Sequence, residues 1–312
     1  MLNLIRNEWM KLWAKKGTWI MTVLLIACVI GLMALTKWIN NQNTTEHTDW
    51  KANTQEQLQY TKEAIERGLP EMEREQNEET VKILEYRLAN DIPPLAEDGR
   101  ESLIINPVGI GSLVVLLTVI VAAGIVASEF SQGTIKMLLT RPVKRWKIMT
   151  SKYVTVLLFG ILLMFIGFAV TVICAYILFP AGAGQELKWD GNAVVSVSVW
   201  GHGLYMLVLA FVNVIITATF AFMIGSVFRS NGMAIGLSLF IFFTGNMVVL
   251  LLSQYEIVKY LLFTHMDLTM YESGSVFVDG ITMPFSLAVL TVYLVIFLLI
   301  SYTVFTKRDI TA

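Results

Sequence analysis

Side chains with chemistry to offer are few in this sequence and stand far apart. The three histidines, His47, His202 and His265, all fall between apolar runs. The two cysteines, Cys28 and Cys174, lie inside apolar runs, with neither a disulfide framework nor a metal-ligand spacing. An intramembrane protease or lipid transferase needs paired aspartates, a His-Glu-x-x-His helix or a Ser/His pair at membrane depth, and the sequence offers none. A Gly-x-x-x-x-Gly-Lys-Ser/Thr phosphate loop is also absent, so the chain has no means of that kind for holding ATP. No catalytic residue and no metal ligand is assigned, and the chain reads as a non-enzyme. The densest chemistry is instead the stretch 128–152, SEFSQGTIKMLLTRPVKRWKIMTSK, with six basic residues and one acid. Thr134 to Thr140 is helix-compatible, and Arg141, preceding Pro142, is pushed out of the α region. A second helical start then runs through Lys152 into the next apolar run.

The elements that hold this stretch follow from composition. Hydrophobic residues make up 55% of the 312 positions and charged residues 15%, against about 25% charged in an ordinary soluble domain. Six uncharged runs are each long enough for the ~20 residues that cross ~30 Å of hydrocarbon. Inside lipid the backbone must satisfy its own hydrogen bonds, which makes such runs helices. Nine Leu, Ile or Val residues between Trp19 and Leu35 favour insertion of the first run by about 3–5 kcal/mol. Leu25-Ile26-Ala27-Cys28 resembles a lipoprotein cleavage site, but the apolar run continues to Leu35, so an uncleaved span is expected.

The sequence therefore predicts an all-α polytopic membrane protein with six transmembrane helices at 17–38, 103–127, 153–179, 204–228, 232–252 and 284–306. Residues 1–16 read as an interfacial amphipathic helix, with Leu2, Ile5, Trp9, Leu12 and Trp13 on one face. Residues 39–102 form an acidic insert of fifteen acids and seven bases, predicted as a helical hairpin over 49–68 and 71–90 broken at Gly68-Leu69-Pro70. Leu58 with Ile65, and Val81 with Leu84 and Leu88, are its apolar stripes. The sequon Asn43-Thr44-Thr45 lies in the same insert. Loops 180–203 and 253–283 join later spans, the second as short semi-buried helices, and 307–312 is a tail.

Basic residues in short loops set orientation. Placing both termini in the cytoplasm puts 13 Lys or Arg and three acids on that side, while loops 180–203 and 253–283 hold only Lys188 and Lys259. The 39–102 insert is then extracellular. No ionisable residue is expected at mid-membrane, so energy for any transport enters from outside the spans.

At 128–152 the sequence resembles the ABC-2 family of transporter permeases, the membrane subunits of bacterial ATP-driven exporters. Glu129, Gly133-Thr134, Leu138-Leu139, Thr140-Arg141-Pro142-Val143, Arg145 and Lys152 carry the resemblance, which extends to six spans, an amphipathic N-terminal helix and outer helices between spans five and six. Lys144 stands where the family usually has serine. The resemblance implies an ABC-2 (type V exporter-like) fold in the bacterial plasma membrane, with two copies of an ABC ATPase subunit as partners and a second permease, the same or a related chain, beside it in the lipids. ATP and Mg would sit on the ATPase, with no cofactor in this chain and no nucleic acid involved. It also implies that Gln132 to Arg141 is a coupling helix docking into the ATPase, with Glu129 near its base and Pro142 and Arg145 beyond. Spans two and five would line a path between permeases. Gly232-x-x-x-Gly236, with Asn246 deeper, suits close helix approach in the fifth run. The expected cargo is hydrophobic, amphipathic or peptide-like. A sodium exporter subunit, or a sensor or anchor subunit that conducts nothing, are the alternatives.

Overall fold

The computed structural model describes residues 1–42, 50–68, 71–96, 98–106, 109–134, 143–228, 230–273, 278 and 280–307. The chain opens with α1 (Leu2–Ala14), broken from α2 (Lys16–Gln42) by an extended Lys15. The insert holds α3 (Trp50–Glu66) and α4 (Glu71–Asn90). Then come α5 (Arg100–Ile105), α6 (Ile110–Ser131) and α7 (Arg145–Leu178). A hairpin of β1 (Leu187–Trp189) and β2 (Val194–Ser196) precedes α8 (Val199–Val227) and α9 (Asn231–Leu252). Two 3-10 turns and the single turn α10 (Met270–Ser273) lead to α11 (Met283–Lys307).

Among the described residues six stretches are long and apolar enough to cross a membrane: α2, α5 with α6, α7, α8, α9 and α11. Their order places α1, the end of α6, the start of α7 and the end of α11 at one end of the bundle, the terminal face. The insert, the hairpin and the 3-10 turns lie at the other, the insert-bearing face.

Burial divides the six. The most apolar window is 67% buried in α6 and 56% in α8, but 17% in both α9 and α11. The first two form the centre, and the last two leave most of their apolar surface outward. Small residues let the central pair approach. A Cβ on Gly225 of α8 would lie 2.2 Å from the Ala123 carbonyl oxygen of α6, so only glycine fits there.

The predominantly helical, six-crossing architecture is the one expected, and two features depart from the sequence expectation. The chain is not wholly helical: Leu187 pairs with Ser196 and Trp189 with Val194 in an antiparallel hairpin. Asp190 Oδ1 accepts from the backbone N–H groups of Asn192 and Ala193 at 2.8 and 2.7 Å, building the turn locally. The second apolar run is interrupted, because Asn106 leaves the helical region and α6 starts only at Ile110. Asn106 precedes Pro107, and the residue before proline is disfavoured in a helix. The helical start expected ahead of Lys152 is present, since α7 begins at Arg145, eight residues before the apolar run that opens at 153. The 34 residues of α7 span about 51 Å, longer than ~30 Å of hydrocarbon, so its first turns project from the terminal face.

The insert is fastened to the rest. Lys62 pairs with Glu85 at 2.6 Å across α3 and α4. Arg87, 7% exposed, donates to the carbonyls of Pro93 at 3.0 Å and Gln185 at 2.9 Å. Lys82 Nζ stands 4.4 Å from the ring centre of Trp189 on the hairpin. Leu69 and Pro70, the expected break, and the sequon Asn43-Thr44-Thr45 lie outside the described residues.

Candidate functional site

The charged centre of the molecule forms where α1, α6 and α7 meet. On α1, Glu8 falls between Ile5 and Leu12 on the face turned inward, and both Glu8 and Leu12 are buried. Trp13 of the same helix meets Phe159 of α7 edge-on at 6.3 Å and Trp19 at 4.9 Å. The Leu12 carbonyl accepts from Thr18 Oγ1 at 2.6 Å, which fixes the angle between α1 and α2.

Lys152 enters this site from α7 with 1% of its surface exposed. Its Nζ donates to Glu8 Oε2 at 2.7 Å and Glu129 Oε1 at 3.0 Å. Lys11 completes the ring, 3.2 Å from Glu8 Oε1 and 3.4 Å from Glu129 Oε1. Two carboxylates thus alternate with two ammonium groups, and the four charges sum to zero. An isolated buried ion would carry a desolvation cost of several kcal/mol, which this pairing offsets. Lys15 sits at the edge, and burial, with Lys152 adding repulsion, holds its ammonium below the ordinary lysine range against the pull of Glu129 and Glu8. These groups line a cavity of about 310 Å³.

The end of α6 is shaped to close this site. Gln132 caps the helix and its N–H returns to the Ser128 carbonyl at 3.0 Å. Gly133 follows at φ +71, the left-handed conformation glycine adopts readily after a helix. That reversal carries Thr134 back, so that Thr134 Oγ1 donates in a short hydrogen bond to Glu129 Oε2. The Gly-Thr step and the acid are one local structure.

Arg145 stands at the start of α7, where its Nη1 donates to the Thr306 carbonyl of α11 at 3.0 Å. Leu138, Leu139, Arg141 and Pro142, the core of the expected coupling helix, lie outside the described residues. Of the expected docking residues, Glu129, Gln132, Gly133 and Thr134 are brought together, and Arg145 is held apart against α11.

Gly232, Gly236 and Asn246 are exposed on α9. At 100° per residue they share with Phe243 and Leu250 an arc of about 80°. A Cβ at either glycine would meet nothing within 4 Å, so this face has no partner among the described residues. It is an open apolar strip with one carboxamide in it.

Glu8 was the residue missed by sequence reasoning, entering only as a count among acids. The signal was present: an acid three residues after Ile5 and four before Leu12 sits within an apolar stripe. His265 gives a second lesson. It lies between spans, as its position requires, yet it is fully buried. Its Nε2 can only donate to the Lys259 carbonyl at 2.8 Å, so Nδ1 accepts from Ser286 at 2.6 Å. Tyr271 then donates to Ser286 at 2.6 Å. This chain of hydrogen bonds pins the 253–283 segment to α11.

Six apolar crossings define a multi-pass membrane protein. The chain belongs to the family described as protein of unknown function, DUF2705, whose model matches residues 95–311. It is 36% identical over 315 residues to the uncharacterized protein YhcI of Bacillus subtilis (strain 168), covering 99% of each chain. It is 28% identical over 197 residues to the uncharacterized membrane protein YdbK of the same organism, covering 62% of this chain and 76% of that one.

Proposed function

We propose that the chain is the permease subunit of an ATP-driven exporter of the ABC-2 type, in a bacterial plasma membrane with the terminal face in the cytoplasm. The observation that carries this reading is the ring of Glu8, Lys11, Glu129 and Lys152. It ties the root of the 128–152 loop to both α1 and α7. A separate ATPase docking on that loop would move Glu129, and through Lys152 it would tilt α7. Through Glu8 it would pull the interfacial helix as well. A loop without such a connection would take up the motion and pass nothing on.

The open face of α9 is the proposed contact with a second permease. A carboxamide turned to hydrocarbon is costly, and a facing helix would give Asn246 a partner while the glycines permit close approach. The cargo in this reading is hydrophobic, amphipathic or peptide-like, and the ATPase partner holds ATP and Mg.

The sensor reading gains one supporting observation: the insert is fastened to the hairpin by Lys82 over Trp189 and to the segment just before it by Arg87 on Gln185. A ligand on α3 and α4 would thereby reach the start of α8. The two readings separate in inverted vesicles carrying the chain and its ATPase. ATP-dependent accumulation of cargo supports the permease, while ligand binding without flux supports the sensor. Docking is tested by co-purification, where changing Gly133 or Arg141 should release the ATPase. Retention of the ATPase after drastic changes across 132–141 would overturn the coupling assignment.

A further inference from the structure

A cleft of about 280 Å³ opens on the insert-bearing face, between the start of α6, the middle of α7, α8 and the turn before α10. That volume is near the lower end of small-molecule sites. Its floor is apolar, with Met164 3% and Met206 8% exposed, and Ala210 beside them. Methionine thioethers give an adaptable surface that accepts varied shapes.

Among the described residues Asp267 is the only charged group lining the cleft. It is exposed, and its Oδ1 is engaged by Thr269, accepting from the backbone N–H at 3.0 Å and from Oγ1 at 2.5 Å. Among the described residues Oδ2 meets no protein donor, and no lysine or arginine pairs with Asp267. Asn213 also lines the cleft, and its Oδ1 accepts from Thr217 Oγ1 at 2.9 Å, which leaves its NH2 group as a donor.

We infer that this cleft binds a small amphipathic amine, with its apolar body on the methionines and its cationic head at Asp267. The alternatives fit less well. An anion would face an unpaired carboxylate with no cation in the lining. A hard metal ion favours several charged oxygen ligands, whereas the other oxygens of the lining, on Asn106, Ser112, Asn213 and Thr269, are neutral and Asp267 Oδ1 is already taken by Thr269. A neutral hydrocarbon would leave the Asp267 charge unused. The inference does not rest on the exporter reading, because it concerns binding alone and needs neither ATP nor a partner.

The test uses the whole chain in phosphatidylcholine nanodiscs, without nucleotide. Equilibrium dialysis would measure labelled benzyltrimethylammonium and its neutral carbon isostere, neopentylbenzene, with protein-free discs as the correction for lipid partition. Saturable binding of the cation at one per chain is expected, at least about tenfold tighter than the neutral probe. Asp267→Asn keeps the Oδ1 acceptor of the turn and removes the charge. It should weaken cation binding by about tenfold and leave the neutral probe unchanged. Ala210→Phe should fill the cleft and abolish both. Cation binding no greater than in protein-free discs, equal affinity for the two probes, or an Asp267→Asn variant that binds the cation undiminished would each overturn the inference. The two-probe comparison on the unaltered chain needs no variant to fold.

Discussion

Lys152 Nζ lies 2.7 Å from Glu8 Oε2, although 144 residues separate them. Both are nearly inaccessible from outside, at 1% and 6% exposed, so each charge depends on its partner in the ring. Helix α1 is thus joined to α7 by an ion pair and not only by apolar packing. Glu129 shares the same lysine and brings the end of α6 into the joint.

This arrangement predicts a strong, non-additive response to neutralisation. Lys152→Met leaves two acids with Lys11 as the remaining cation of the ring, and should lower stability by about 3–5 kcal/mol. Glu8→Gln alone should destabilise in the same direction. Combining the two should cost less than the sum, with a coupling of about 1–3 kcal/mol. Scanning fluorimetry of the purified chain in detergent measures this, and strict additivity would refute the direct pair.

Gly133 should resist replacement for a conformational reason. At φ +71 a side chain costs about 1–2 kcal/mol. Gly133→Val should therefore lower the thermal midpoint and loosen Thr134 from Glu129, increasing protease cleavage after the 128–152 lysines and arginines. Thr134→Val should reproduce the cleavage with a smaller thermal loss. Unchanged cleavage in both variants would show that the reversal does not order this loop.

The His265 cluster predicts a pH dependence. Burial lowers the His265 pKa from the ordinary 6.5, partly opposed by the hydrogen bond to Lys259. Below pH 6.5 the unfolded chain binds this proton before the folded one does. Stability is therefore full above pH 6.5 and declines as the pH falls from there toward the lowered folded value. The thermal midpoint should drop between pH 7.5 and 5.5, and His265→Gln should be less stable at pH 7.5 with a flatter profile. A His265→Gln profile as steep as the original would place the titrating group elsewhere.

The outward face of α9 predicts self-association through a particular strip. Gly236→Leu and Asn246→Leu should each reduce energy transfer between labelled copies in vesicles, several-fold in the double variant. Thermal stability should hardly change, because a Cβ at Gly236 meets nothing within 4 Å inside the chain. Undiminished transfer would leave this face to lipid.

Hydropathy alone sufficed for the six crossings, because each span satisfies its own backbone and its boundaries depend on local polarity. The Gly-Thr step at 133–134 entered the sequence reading only through a family resemblance, and the structure showed its role: a left-handed residue and its hydroxyl neighbour act within five positions of Glu129. Other features were less accessible. The β1–β2 turn rests on one aspartate among residues that a loop would also carry. The break at Asn106 hides inside an apolar run whose hydropathy does not change.

What the sequence by itself determined, then, was the number of crossings, the charge asymmetry between the two ends and the lack of a phosphate loop. Only the tertiary structure decided which charges meet. Glu8, Glu129 and Lys152 come from three helices, and no periodicity relates positions so far apart. Their pairing follows from the cost of burying any one of them alone, a cost that exists only once α1, α6 and α7 have packed.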